Sequence, residues 1–211
     1  MAGTVFFSVS MSVDGFIAPE SPEELMGKQW MELQAWAFRL QYFRDSLNLG
    51  GEGETGRDND IVRATFERTG ANVMGKRMFD AGEHSWPDEP PFHAPVFVVT
   101  HRTREPWERL GATTFHFVND GIEAAIEQAR DAAGERDVRV SGGGETIVQC
   151  LNAGLIDEFT VAVAPVLFGK GVRLFEGVDA SRVSLEQVGS ESSSPLATHL
   201  TYAVQSRRAR D

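Results

Sequence analysis

Val140-Ser141-Gly142-Gly143-Gly144-Glu145-Thr146 is the stretch whose residue types and order point most directly to chemistry. It follows an alternating, strand-like run, Asp137-Val138-Arg139-Val140. It opens a helix-like run, Ile147-Val148-Gln149-Cys150-Leu151, that stops at Gly154. A glycine-rich turn from a strand into a helix N-terminus presents unpaired backbone N–H groups and the positive end of the helix dipole to an anion. Phosphate is the usual anion, so the stretch predicts a phosphate-bearing cofactor or substrate.

Other site chemistries find less support. The glycine run departs from G-x-G-x-x-G, because Ile147 stands three residues after Gly144, and no acidic residue follows at the expected distance. Gly169-Lys170-Gly171 lacks the earlier glycine and the Ser/Thr of a P-loop, and there is no G-x-S-x-G hydrolase elbow. The acidic glycine-rich segment 48–58 does not have EF-hand spacing. His84, His93, His101, His116 and His199 have no metal-ligand spacing, and the single Cys150 cannot build a zinc site, so no metal is expected.

The net charge of −11 over 211 residues argues against a nucleic-acid partner, since phosphate backbones require a Lys/Arg surface. It leaves room for a local cationic cluster around one anionic cofactor. One cysteine precludes an internal disulfide and fits a reducing compartment. Phe6-Phe7-Ser8-Val9 is too short and lacks the basic flank of a signal peptide, and no apolar run has the length of a membrane span. A cytoplasmic protein with a small-molecule substrate and no membrane contact is the expectation.

The elements that must hold the glycine run read as follows. Residues 4–12 form a buried strand, followed by a turn at Asp14-Gly15. Ser21-Pro22-Glu23-Glu24 has the order of a helix start, with Ser as N-cap, Pro at N1 and Glu at N3. Apolar residues at Met26, Trp30, Leu33, Ala37, Leu40 and Leu47 extend that helix over 22–46. Trp36, Phe38 and Tyr42 lie off this stripe and either pack on a second element or wall a pocket. A shorter helix is expected over 59–69, a strand over 71–74, a helix from Gly75 and a loop over 83–95. Strands follow at 96–100 and 113–118. Asp120 caps a helix with Glu123 at N3, and Ile122, Ala125, Ile126 and Ala129 form its stripe. The strand at 137–140 and the helix at 144–153 come next, then a strand over 159–164, a loop over 165–177, and an antiparallel pair at 183–190 and 197–205. Arg207, Arg208 and Arg210 make a short basic tail. Alternation through the middle and strands at the end predict an α/β fold, a mostly parallel sheet with antiparallel C-terminal strands and helices on both faces. One domain over 1–211 is expected, with a helical insertion at about 21–58.

Five segments, taken together and in order, resemble the dihydrofolate-reductase-like superfamily. Within it they are most similar to the C-terminal reductase domain of the bifunctional riboflavin-biosynthesis deaminase/reductase. The segments are Ser10-Met11-Ser12-Val13-Asp14-Gly15-Phe16-Ile17-Ala18; Val73-Met74-Gly75-Lys76-Arg77-Met78-Phe79; Val98-Val99-Thr100-His101-Arg102; Val140-Ser141-Gly142-Gly143-Gly144-Glu145; and Gly154-Leu155-Ile156-Asp157-Glu158, leading into Ala164-Pro165-Val166-Leu167-Phe168-Gly169-Lys170-Gly171. The resemblance implies a stand-alone, NADPH-dependent reductase similar to 5-amino-6-(5-phosphoribosylamino)uracil reductase. It also implies a homodimer.

Carried onto this sequence, the resemblance places Gly75, Lys76 and Arg77 at the cofactor phosphates. It places Thr100, His101 and Arg102 at the adenosine 2′-phosphate, where an Arg fork favours NADPH over NADH. Ser141, Gly142, Gly143, Gly144, Glu145 and Thr146 would carry the pyrophosphate, and Ile17 and Ala18 would lie against the nicotinamide. Asp14 would contact substrate and is one candidate proton donor, a bound water the other. Trp36, Pro165, Phe168 and Gly169 would line the substrate pocket. Two departures stand out. Ser141 replaces the glutamate typical of riboflavin reductases, and the deaminase signatures H-x-E and P-C-x-x-C are absent. A dihydrofolate or pterin reductase is an alternative, with its carboxylate unplaced among Asp45, Asp58 and Asp60. A nucleotide-binding homodimer without turnover is another.

Overall fold

The computed structural model describes residues 3–191 and 194–206. The basic tail at Arg207, Arg208 and Arg210 lies outside the described residues. Eleven strands and six α-helices are described. The strands are β1 (Val5–Ser12), β2 (Phe16–Ala18), β3 (Thr69–Gly75), β4 (Val96–Val99), β5 (Trp107–Glu108), β6 (Thr114–Val118), β7 (Asp137–Gly142), β8 (Glu158–Ala164), β9 (Val172–Arg173), β10 (Val183–Glu191) and β11 (Thr198–Ser206). The helices are α1 (Lys28–Phe38), α2 (Gln41–Ser46), α3 (Arg57–Arg68), α4 (Lys76–Glu83), α5 (Ile122–Ala133) and α6 (Gly144–Asn152).

Nine strands form one sheet in the order β10-β11-β8-β1-β7-β3-β4-β6-β5. From β8 to β6 all neighbours are parallel; β11, β10 and β5 are antiparallel to theirs. The short β2 and β9 make a separate antiparallel pair. The expected α/β architecture is the observed one, with two small additions, β5 and the β2–β9 pair, each too short to leave a period in the sequence.

Strand alternation divides β1 between two environments. Val5, Phe7, Val9 and Met11 face a core closed by α5 and α6, where Ile122, Ala125, Ile126, Ala129 and Ala133 recur at helical spacing and are buried. Phe6, Ser8, Ser10 and Ser12 face the opposite layer of α1 and α3. A third cluster packs α4 on β3, β4 and β6 through Phe79, Met74, Val98 and Phe115.

The long helix expected over 22–46 is broken twice. A 3-10 turn covers Pro22–Glu24, and Gly27 caps α1 in an extended conformation. At Leu40 the backbone turns extended (ψ 136°) and pairs in parallel with Glu54. Gln41 N–H donates to the Glu54 carbonyl at 2.9 Å. The periodic side chains are compatible with one helix, but backbone partners offered by the 48–58 loop win at Leu40. The expected cap at Asp120 is also corrected: Gly121 is the N-cap of α5, and no side chain caps it.

Candidate functional site

A cleft of about 740 Å³ opens along the carboxyl ends of β7, β3 and β4 and runs under α1 and α3. Three helices begin at its wall. Gly75, Gly121 and Gly143, the N-caps of α4, α5 and α6, all line it, and none of the three helices has a side-chain cap hydrogen bond. Their first N–H groups are therefore available to a ligand, and the three dipoles favour an anion in the same cavity. Gly121 was not among the expected site residues; its signal in the sequence, a glycine directly before an amphipathic run, is weak by itself.

The glycines of the central run do different work. Gly142 sits at φ 125°, a left-handed conformation that L side chains rarely adopt. Gly144 touches the wall: a Cβ there would come 3.0 Å from Val172 and 3.3 Å from Ile17. Gly143 has an ordinary negative φ of −76°, and a Cβ would meet no heavy atom within 4 Å. It fronts open space. Across the cleft, a Cβ on Gly75 would lie 2.3 Å from the Thr146 hydroxyl, so the two phosphate-type turns are in close contact.

All the expected cofactor residues line this one cleft: Ile17, Ala18, Gly75, Lys76, Arg77, Thr100, His101, Arg102, Ser141, Gly142, Gly143, Gly144, Glu145 and Thr146. The cations differ in availability. Lys76 is ion-paired with Asp80 one turn along α4, at 2.6 Å to Oδ2. Arg77 donates to the Glu20 carbonyl. Arg102 is exposed, and among the described residues its guanidinium has no partner; its backbone N–H donates to the Thr100 hydroxyl at 3.1 Å, which orders the turn. The three uncapped helix starts, the open face at Gly143 and the guanidinium of Arg102, unpartnered among the described residues, fit a dinucleotide that carries an extra phosphate.

The other end of the cleft lies between the polar face of β1 and β7 and the helices α1 and α3. Trp36 is there, as expected, with its indole N–H donating to Ser10 Oγ at 3.0 Å; Ser10 in turn donates to Gln34 at 2.8 Å. Ser8, Phe43, Val62, Phe66, Arg139 and His199 complete this end and were missed. Ser8 and Ser10 had a legible signal, the strict alternation of serine with apolar residues along β1. His199 is buried, its ring bonded to Asp58 at 3.1 Å and set edge-on to Trp36. Burial holds its pKa below the usual 6.5 against the pull of Asp58, so it is neutral at pH 7. Cys150 is buried away from the cleft, its thiol pushed up to about 12 by burial, and offers no nucleophile.

The remaining expected residues lie elsewhere. Asp14, the candidate proton donor, is not part of the cleft wall. Its carboxylate accepts from Ser12 Oγ at 2.6 Å, Gly169 N–H at 2.7 Å and Phe168 N–H at 3.1 Å. Led by the Ser12 bond, these donors lower its pKa from 3.8 to about 2, so it is ionised at neutral pH. Gly169 and Pro165 are exposed outside the cleft, and Phe168 is buried against Phe16. These residues form a loop that Asp14 pins, not a substrate wall. Because the folded pKa is depressed, the pinning is complete above about pH 4 and is lost as the pH falls through about 2. Amide hydrogen exchange at Phe168 and Gly169 should follow that window. In Asp14→Asn the amide NH2 would face a backbone N–H, and protection should already be lost at pH 7; unchanged protection in that variant would refute the pin.

A family model described as the RibD C-terminal domain matches residues 3–197. Among curated proteins, YyaP of Bacillus subtilis, itself uncharacterised, is 31% identical over 86 residues, which span 41% of this chain and 45% of that protein. The chain thus matches less than half the length of this relative. Among solved structures, a Shewanella sp. PV-4 protein named for riboflavin biosynthesis has 25% identity and a TM-score of 0.65, covering 97% of this chain and 99% of its own. Dihydrofolate reductase from Enterococcus faecalis, solved with NADP(H), has 13% identity and a TM-score of 0.55 over 97% of this chain and 98% of its own, a likeness of fold alone. Among the described residues, no helix is long and apolar enough to cross a membrane.

Proposed function

The chain belongs to the RibD C-terminal domain family, and from that premise we propose that it is an NADPH-dependent reductase of a small planar heterocyclic or ribosylamino substrate. The observation that carries the reading is the convergence of three uncapped helix starts and Arg102, unpartnered among the described residues, on one end of a cleft whose other end is lined by aromatic rings. The N–H groups after Gly75 and Gly143 would hold the pyrophosphate. Arg102, with the Thr100 turn behind it, would grip the 2′-phosphate. Ile17 and Ala18 would lie along the nicotinamide. When bound, NADPH supplies the hydride.

The protein's own contribution is positioning and exclusion of water. Trp36, Phe43, Val62 and Phe66 form apolar walls for a planar ring, and the Trp36–Ser10–Gln34 chain fixes one wall by hydrogen bonds. With Asp14 outside the cleft, bound water is the remaining expected source of the proton.

Arg102→Ala should weaken NADPH binding by roughly 10- to 100-fold, the worth of a charge-assisted hydrogen-bond pair of about 1.5–3 kcal/mol. NADH binding should be unchanged. Fluorescence titration of both cofactors checks this; equal losses for the two would move the 2′-phosphate away from Arg102.

One observation favours a second reading, a nucleotide-binding protein without turnover. The only carboxylates lining the cleft, Asp80 and Glu145, stand beside the cofactor turns, so no carboxylate among the described residues faces the substrate end. The same fact weighs against a pterin reductase. Steady-state NADPH oxidation over a panel of heterocycles separates the readings, and binding without oxidation of any of them selects the second.

A further inference from the structure

Arg139 is an unusual residue to find at the centre of a parallel sheet. It lies on β7 between Phe6 of β1 and Asn72 of β3. It lines the substrate end of the cleft. Among the described residues its guanidinium has no ion-pair partner. One Nη reaches the Ser8 carbonyl at a long 3.3 Å, and the Phe66 ring lies 4.9 Å below the charge. Its Nε is fully enclosed with no hydrogen-bond acceptor. Arg139 as a whole is half-buried, and a cation partly shielded from water without a counter-charge is costly; such groups are normally paired. Arg68 gives the contrast: also close to the sheet, it is ion-paired to both Asp137 and Glu158, at 2.8 and 2.6 Å.

We propose that Arg139 is an anchor for a carboxylate on the substrate, seated at the end of the molecule inserted furthest from the nicotinamide. The proposal rests on the reductase reading above. Arg139 precedes Ser141 by two residues on the same face of the strand, which sets its Cα about 7 Å further along the cleft from the glycine run. A planar carboxylate matches the guanidinium fork. A phosphate ester does not suit this end. It carries about −1.5 to −2 charge at pH 7, whereas among the described residues Arg139 is the one permanently charged cation on this stretch of wall; Lys76, Arg77 and Arg102 belong to the cofactor end. The Phe66 ring lies against it, and Trp36 and Val62 line the same cleft, apolar surfaces that would leave a second negative charge unsolvated. Burial lowers the guanidinium pKa to about 10, which leaves it charged at neutral pH.

The test uses the full chain saturated with NADPH and three probes of one size: benzoate, benzamide and phenyl phosphate, with affinities from calorimetry. Benzoate should bind roughly 10- to 100-fold more tightly than benzamide and more tightly than phenyl phosphate. Arg139→Met should abolish the preference for benzoate, leave benzamide binding unchanged, keep NADPH affinity and melt no lower than the parent, since it removes a charge that lacks a counter-charge. Equal binding of benzoate and benzamide by the parent protein overturns the proposal without recourse to any variant. So does a preference for phenyl phosphate, and so does a benzoate preference that survives Arg139→Met or, should that variant fold poorly, Arg139→Gln. Failure of the parent to bind NADPH is read in a separate titration; it would remove the cofactor assignment, while the probe series on the free protein would still judge Arg139.

Discussion

Gly143→Val is expected to weaken NADPH binding by at least about a hundredfold while leaving the thermal midpoint within about 2 °C of the parent. Both halves follow from local geometry. The backbone at Gly143 has φ −76°, outside the left-handed region that favours glycine, and a Cβ there meets nothing within 4 Å beyond its two chain neighbours, so no packed wall opposes the substitution. Gly143 is the N-cap of α6 and lines the cleft, so the N–H groups opening that helix start beside this space. A valine would stand between them and a pyrophosphate. Losing two charge-assisted hydrogen bonds of about 1.5–3 kcal/mol each gives the hundredfold figure. The neighbouring glycines are the controls. Gly142→Ala meets the positive φ, and Gly75→Ala drives a methyl group to 2.3 Å from the Thr146 hydroxyl, so both should lower the melting temperature. Fluorescence titration and a thermal melt on the same samples decide the matter. Near-parental NADPH affinity in Gly143→Val would remove this turn from the cofactor site.

Phe79→Ala is expected to cost about 3–5 kcal/mol of stability, the usual range for truncating a fully buried phenylalanine. Phe79 is 1% exposed on α4 and is surrounded by rings: Phe117 at 5.2 Å, Phe115 at 5.3 Å, Trp86 at 6.0 Å and Trp107 at 6.1 Å between centroids. Trp107, Phe115 and Phe117 are fixed on β5 and β6 and Trp86 follows α4, so they cannot all collapse into the hole. Against a typical total of about 5–15 kcal/mol the loss is large. At roughly 2–4 °C per kcal/mol for a chain of this size it predicts a fall of about 6–20 °C in Tm. The site would feel the same change, because α4 carries Gly75, Lys76 and Arg77 at its start. Urea unfolding measures the effect, and a loss under about 1 kcal/mol would show that this cluster does not anchor α4.

Much of the fold was legible because its signals are local. The strand at 96–99 is a continuous apolar run, α5 repeats its buried residues at helical spacing, and the turns at Gly75 and Gly142–Gly144 announce helix starts. The cofactor end was equally legible, since helix starts, glycines and an adjacent arginine are features of short segments. The sequence also carried the polar face of β1, as serines alternating with Phe, Val and Met.

Other matters were decided only when distant segments met. Whether residues 22–46 form one helix depended on Glu54, which offers its carbonyl to Gln41 across a loop. The setting of Asp14 depended on Phe168 and Gly169, more than 150 residues away, whose amides occupy its carboxylate and hold it against that loop. Asp-Gly reads identically as a turn or as a site. Arg139 is the sharpest case. In sequence it is one polar residue in an alternating strand, and nothing marks it from Arg68 or Arg136. Tertiary packing set both over aromatic rings, Phe6 and Phe66, but placed two carboxylates beside Arg68 and, among the described residues, none beside Arg139. The sequence determines which residues carry charge and which backbone turns present free N–H groups. What each charge does depends on the groups it faces, and those arrive through contacts that no local pattern encodes.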